Sequence, residues 1–212
     1  MALTVYVEGT TDVQVAIRVA QHAGFVLAPE NVIPVGGYSA IDANLRAYYQ
    51  MASAKAPVWV LRDCDPTMPN FKGQRFARCA GKVVKSLGVP NSAEGWAFRL
   101  ARHEAEAWLL ADSVAFADWL GVEEHRIAKA PDEILKAKLE IVRLARTSTK
   151  TALAKNLVPR EGSSAEFGPA FEDTLQTFVT GPWNPTRASK RSVSLRKCIA
   201  ALRALKARRT RR

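Results

Sequence analysis

The chain has 212 residues, 48% of them apolar and 24% charged, with a formal net charge of +11, a balance ordinary for a globular protein long enough to bury a real core. Three cysteines, Cys64, Cys79 and Cys198, form no CxxC pair and so indicate neither a disulfide framework nor a zinc site. No apolar run approaches the 18 residues of a membrane span, and the N-terminus MALTVYVEG lacks the layout of a signal peptide, so a soluble cytoplasmic protein is expected.

Residues 3–7 read as a buried strand that stops at Glu8, turns through Gly9-Thr10-Thr11 and meets Asp12 at the start of a helix over 12–24. An acceptor at a helix start explains Asp12 but leaves Glu8 unexplained. NVIPV, 31–35, is a short second strand ending in Gly36-Gly37, and a helix follows from about Ser39, its expected N-cap, to Ala52. APVWVLRDCDP, 56–66, is the clearest strand, because its unbroken run Val58-Trp59-Val60-Leu61 suits burial on both faces of a parallel sheet. A helix is expected over 73–87, a fourth strand over 95–102 and helical structure over 103–120. Strands alternating with helices imply an α/β fold, a mostly parallel sheet with helices on both faces. Beyond it, 123–156 reads as helical and 158–169 as a loop, with helices at 169–179 and 189–206 and NPTRASKRSVS as the loop opening the last one. The expected division is a core over 1–112, a helical extension over 113–186 and a basic C-terminal helix and tail over 187–212.

In an open parallel sheet, ligands gather at the carboxyl ends of the strands. Glu8 follows strand one, and Asp63 and Asp65 end strand three and alternate toward one point, so Glu8, Asp12, Asp63 and Asp65 are expected to converge. Four crowded carboxylates repel unless a hard cation neutralises them, and Mg²⁺, held by one or two carboxylates and substrate phosphate, suits that role. The charge is placed as unevenly as the acids: eleven of the 31 basic residues fall within 187–212, which hold no acid, leaving 20 basic against 20 acidic residues before it. Such a segment attracts polyanions, nucleic acid foremost, with Arg187, Lys190, Arg191, Arg196 and Lys197 as candidate phosphate contacts. The plain alternative is a solvated basic tail.

VEGTTD, VGGYSAI and WVLRDCD, in that order, resemble the landmarks of the Toprim domain shared by topoisomerases, bacterial primases and the overcoming-lysogenization-defect (OLD) nucleases. The resemblance covers roughly residues 3–112. It implies a Rossmann-like parallel sheet whose acidic cluster holds one or two Mg²⁺ or Mn²⁺ ions. Glu8 then matches a general acid/base or metal ligand, Asp63 and Asp65 the metal-binding DxD, and Asp12 the second acid of the OLD-like branch. EAWLLAD, 106–112, is similar to a hallmark of small prokaryotic Toprim-like proteins, some encoded beside an ATPase and associated with defence against phage. Glu104 or Glu106 can complete a second metal site, or both can simply favour a helix start, and Asp112 reads as a local cap.

The expected function is a Mg²⁺- or Mn²⁺-dependent nuclease or nickase acting on DNA, with RNA as the alternative substrate. Its partner would be a separate ABC- or AAA-type ATPase, since the chain has no GxxxxGK[ST] of its own. The cation that stabilises the transferred phosphoryl group is left open among Arg62, Arg99, Arg102 and the 186–197 segment. A non-catalytic nucleic-acid-binding or ATPase-partner module with a vestigial site is the main alternative. A phosphatase with a DxD nucleophile ranks behind it, because the DxD follows strand three rather than strand one.

Overall fold

The computed structural model describes residues 2–53, 55–64 and 87–210. The helix expected over 73–87 falls almost wholly outside these residues, as do Asp65 and Cys79. The described chain divides into two compact units, one of residues 1–102 with 194–212 and the other of 103–193.

The first unit is built on a five-stranded sheet. Its strands are β1 (Thr4–Val7), β2 (Val32–Pro34), β3 (Val58–Cys64), β4 (Ser92–Ala93) and β5 (Trp96–Arg102), in the order β2-β1-β3-β5-β4. The first four neighbours in that order run parallel, and the short β4 pairs antiparallel with β5 at the edge. The α/β reading of the sequence therefore holds, with an antiparallel edge strand added. β3 occupies the middle because it is apolar on both faces, and every residue from Val58 to Arg62 is buried.

Side-chain alternation sorts the two faces. Tyr6, Val58, Val60, Cys64, Trp96, Phe98 and Leu100 form one apolar cluster with Ile41 and Leu45 of α2 (Tyr38–Met51). The connection β1–α1–β2 runs one way across the sheet and β2–α2–β3 runs back. Right-handed crossovers then set α1 (Thr10–His22) against the opposite face from α2. That opposite face carries the buried Val5, Val7, Trp59, Leu61, Ala97 and Ala101. The final helix (Val193–Thr210) belongs with α1: Arg203 Nη2 lies 3.1 Å from His22 Nε2, and Lys206 Nζ donates to the Gly24 carbonyl. Leu195, Cys198, Ile199, Leu202 and Leu205 are buried on a stripe of helical spacing, while Arg196, Lys197, Arg203, Lys206 and Arg208 remain exposed. The described basic residues of this helix thus lie outside its apolar stripe, on an amphipathic helix.

The second unit is helical. It contains α3 (Glu106–Leu110), α4 (Ser113–Leu120), α5 (Ala137–Ala145), α6 (Thr151–Leu157), α7 (Phe171–Thr180) and α8 (Pro185–Arg191); the final helix is α9. The helical stretch expected over 103–120 is interrupted at Asp112, whose ψ of 61° is not helical and whose side chain makes no cap bond although it stands at the start of α4. The reason is tertiary: its carboxylate, 1% exposed, pairs with Arg187 through Oδ1–Nε at 2.7 Å and Oδ2–Nη2 at 2.8 Å. It also accepts the Asn184 backbone N–H at 2.8 Å. The stretch 123–156, expected to be helical, holds 3-10 turns at Glu124–Arg126 and Pro131–Glu133 followed by α5 and α6. Between α5 and α6, the hydroxyls of Thr147 and Thr149 bond to the carbonyls of Leu144 and Gly121 at 2.9 and 3.0 Å and compete with helical pairing. NPTRASKRSVS is not a loop: Asn184 caps α8 by accepting from Thr186 and Arg187 at 2.8 and 3.3 Å, and Pro185 takes the first helical position. Phe116, Trp119 and Phe178 form an aromatic group with centroids 5.0–5.4 Å apart, and Trp183 Nε1 donates to the Trp108 carbonyl at 3.2 Å. Among the described residues no helix is long and apolar enough to cross a membrane.

Removing the Asp112 carboxylate strands the Asn184 N–H and leaves the Arg187 guanidinium without its counter-charge, with the Pro182 carbonyl still in reach at 2.9 Å. Asp112→Ala is expected to lower the unfolding free energy by about 2–3 kcal/mol, and Asp112→Asn by less, because its amide oxygen still accepts from Asn184. Urea titration measures both, and equal losses would contradict the pairing.

Candidate functional site

Glu8 stands one residue beyond the end of β1, where the backbone ladder to β3 stops. Its carboxylate continues that ladder: Glu8 Oε1 accepts the backbone N–H of Asp63 at 2.8 Å, joining residues 55 apart in sequence. Glu8 and Asp63 are both half-buried at the carboxyl ends of adjacent parallel strands. The Glu8 carbonyl accepts from Gly36 N and Gly37 N at 3.0 and 2.9 Å, which closes the β2–α2 turn onto the same edge. Those glycines adopt φ of 85° and 112°, a region that side chains penalise, so the turn depends on their lacking a Cβ.

Asp12 lies one turn into α1, and its carboxylate turns back to accept the Gly9 N–H at 3.0 Å. It is a residue of the first helical turn bracing the helix start. Glu8, Asp12 and Asp63 thus belong to one strand–turn–helix edge, and Asp65 lies outside the described residues. Among the described residues, no group of three or more His, Cys, Asp or Glu side chains is close enough to hold a metal ion. In kind, the donors at this edge fit a hard divalent cation, since all are carboxylate oxygens, and carboxylates braced by backbone N–H groups are the form in which proteins present them to metals.

Arg62 is not a free cation for a substrate phosphate. Its side chain is 1% exposed and meets Asp42 of α2 through Nε–Oδ1 at 2.8 Å and Nη2–Oδ2 at 2.9 Å. Its Nη1 donates to the Asp63 carbonyl at 2.8 Å, and the Tyr38 ring lies 5.1 Å from its guanidinium carbon. Arg62 therefore ties the first two turns of α2 to the end of β3 and fixes the backbone of Asp63. Reading the sequence for motifs misses Asp42, although the chain carries a signal for it. An arginine in a strand buried on both faces requires an acid, and Asp42 is the only acid of α2. Arg99 shares the face of Asp63 by register, since Leu61 pairs with Arg99 and Asp63 with Ala101. Burial lowers the Arg99 pKa and pushes the neighbouring Cys198 thiol up to about 12, against the pull of the Arg99 charge.

Glu106 belongs to the second unit, 3% exposed in the first turn of α3, with Lys138 Nζ 3.4 Å from its Oε1. Glu104 accepts the Lys138 backbone N–H at 2.8 Å and so caps α5 across 34 residues of sequence. Burial raises the Glu104 pKa; the Lys138 N–H and cation oppose the shift, and the charge of Glu106 adds to it. His103, buried with φ of 63°, precedes this pair. Of the five residues expected to bind nucleic acid, two are committed to the second unit's own packing: Arg187 to Asp112, and Arg191 to the Ala128 carbonyl at 2.8 Å. Among the described residues Lys190, Arg196 and Lys197 have no such partner, and all three are exposed.

No family model matches the chain, and no curated protein or solved structure matches it.

Two measurements test this geometry. Asp42→Ala leaves the Arg62 guanidinium buried without its counter-charge and is expected to cost about 3 kcal/mol in urea unfolding. The double variant Asp42→Leu/Arg62→Met should recover most of that loss; a double variant no more stable than Asp42→Ala would refute the buried pair. For Glu104, a raised pKa means the folded chain favours the protonated form, so that stability is complete below the ordinary carboxylate range and declines as pH rises through the raised value. The stability of Glu104→Gln relative to the unsubstituted chain should therefore increase between pH 4 and pH 7, and a pH-independent difference would contradict the shift.

Proposed function

We propose that the chain is a metal-dependent nuclease or nickase that hydrolyses phosphodiester bonds of DNA or RNA, built on a Toprim-like sheet. The observation that carries the reading is the meeting of Glu8 and Asp63, 2.8 Å from carboxylate oxygen to backbone nitrogen, at the carboxyl edge of two parallel strands. The resemblance of VEGTTD, VGGYSAI and WVLRDCD to Toprim landmarks supports the same edge.

Glu8 and Asp63, with Asp12 and Asp65, are the residues that would hold Mg²⁺ or Mn²⁺. Bound there, the cation would lower the pKa of a water molecule and stabilise charge on phosphoryl oxygens. Glu8 is suited to accept or relay the proton of the attacking water, because its carboxylate stands at the strand end and is braced there by the Asp63 N–H. Arg99, on the face of Asp63, and Lys190, Arg196 and Lys197 are the candidate cations for the nucleic-acid backbone. In the fullest form of the proposal the chain is the effector of a prokaryotic defence system and acts beside a separate ATPase.

A second reading, a nucleic-acid-binding module without turnover, draws on one specific observation. Glu8 and Asp12 each already take a backbone N–H, so both carboxylates have a structural use without a metal.

Glu8→Gln and Asp63→Asn separate the two readings with little disturbance of the fold, since the amide oxygen introduced by Glu8→Gln can still accept from the Asp63 N–H. Each is expected to reduce Mg²⁺- or Mn²⁺-dependent cleavage of supercoiled plasmid and of single-stranded RNA by about a hundredfold or more. Binding of the same substrates and the melting temperature should change little. Unchanged cleavage in either variant would overturn the assignment of the site; salt-sensitive binding with no cleavage by the unsubstituted chain would select the second reading.

A further inference from the structure

A cationic groove lies wholly within the second unit, with a volume of about 650 Å³, in the range of small-ligand sites. Arg146, Lys155 and Arg160 line it with Asn156, Val158 and Pro159, and no acidic side chain does. We propose that this groove binds a phosphorylated nucleoside, either free or as one unit of a single strand, with its phosphate on Arg146, Lys155 and Arg160 and its base over Val158 and Pro159.

The groove is built from helix ends and a closed loop. Arg146 is the residue after α5, Lys155 lies in the last turn of α6, and Arg160 follows α6 in the loop read from the sequence as VPREGSSAEFGP. That loop is pinned where it returns: Gly168 N donates to the Leu157 carbonyl at 3.0 Å, and Ala170 N to the Asn156 carbonyl at 3.2 Å. A Cβ on Gly168 would lie 2.1 Å from the Asn156 carbonyl oxygen, so the close approach that shapes the groove admits only glycine there.

Helix C-termini favour cations, which accounts in part for Arg146 and Lys155. It does not account for Arg160, nor for three like charges sharing one concavity. None of the three makes a side-chain hydrogen bond or ion pair among the described residues, whereas Arg143 on the same α5 is paired with Glu140 at 2.7 Å. Three exposed cations, unpaired among the described residues and sharing a groove with Val158 and Pro159, match a ligand with a dispersed anionic group and a flat, weakly polar body. Guanidinium and ammonium groups meet the phosphate oxygens, and the proline and valine surfaces meet the face of a base. Asn156, which can both donate and accept, suits a base edge or a ribose hydroxyl. The proposal concerns a site other than the acidic edge and does not depend on hydrolysis.

The test is binding in EDTA, where no divalent-dependent turnover contributes, with a fluorescein-labelled single-stranded DNA 12-mer and, separately, ATP as probes. The variant Arg146→Gln/Lys155→Gln/Arg160→Gln is compared with Arg126→Gln/Lys129→Gln/Lys136→Gln, which removes equal charge from other exposed positions of the same unit. The groove variant is expected to weaken 12-mer or ATP binding by about tenfold or more, and to lower the salt slope for the 12-mer by about 0.7, as the loss of one single-strand phosphate contact requires. The control should change affinity less than about threefold, and the charge-preserving Arg146→Lys/Lys155→Arg/Arg160→Lys should retain most of it. Groove-dependent binding of ATP identifies a free nucleotide as ligand, and groove-dependent binding of the 12-mer alone identifies a strand. Equal losses in groove and control variants, or no groove-dependent binding of either probe, would overturn the proposal.

Discussion

A guanidinium in the middle of a parallel sheet cannot remain unpaired, and the carboxyl edge of the first unit is organised around that constraint. Arg62 interrupts the apolar run of β3 at 1% exposure, and Asp42 supplies the counter-charge in a two-point geometry. The pairing fixes the start of α2 against the end of β3. It also leaves one nitrogen to hold the Asp63 carbonyl, so that the backbone presenting Asp63 is set by the same residue that locks the helix. On the other side of Asp63, the Glu8 carboxylate takes the N–H that β1 is too short to satisfy. The candidate site is therefore a place where the sheet ends unevenly and side chains complete its hydrogen bonding.

In that arrangement one Glu8 oxygen serves the fold by completing the sheet's hydrogen bonding. Carboxylates braced in this way keep their orientation when a cation arrives, which is the general function of hydrogen bonds around metal ligands. The same economy appears in the second unit, where Glu104 caps α5 while Glu106 pairs with Lys138 beside it. There the acids close a helix junction, and burial makes the Glu104 charge costly.

The basic excess divides in a similar way. Arg187 and Arg191 neutralise or cap groups inside the helical unit. The basic residues of α9 ride outside an apolar stripe that buries Leu195, Cys198, Ile199, Leu202 and Leu205. A run of positive charge in the sequence thus contains some cations needed for folding and others facing water. In the helical unit, Arg146, Lys155 and Arg160 belong to the second kind although they stand outside the basic run.

Local periodicity determined β1, β2, β3 and β5, the mostly parallel α/β character and the turns at Glu8 and Gly36-Gly37, but not the two-residue edge strand β4, because burial on two faces and close turns leave their mark within a few residues. EAWLLAD announced a buried helix start by the same rule, with Trp108, Leu109 and Leu110 all in the core. The places of Glu8 and Asp63 after strands one and three imply that the two meet, but the sequence did not disclose which bonds such distant partners make. The break at Asp112 depends on Arg187, 75 residues away; the bracing of Asp63 depends on Glu8; and the return of α9 to the first unit depends on a sheet face completed by strands near the other end of the chain. Hydrogen bonds and ion pairs of this kind are satisfied by proximity in space, and only the tertiary fold brings their partners together.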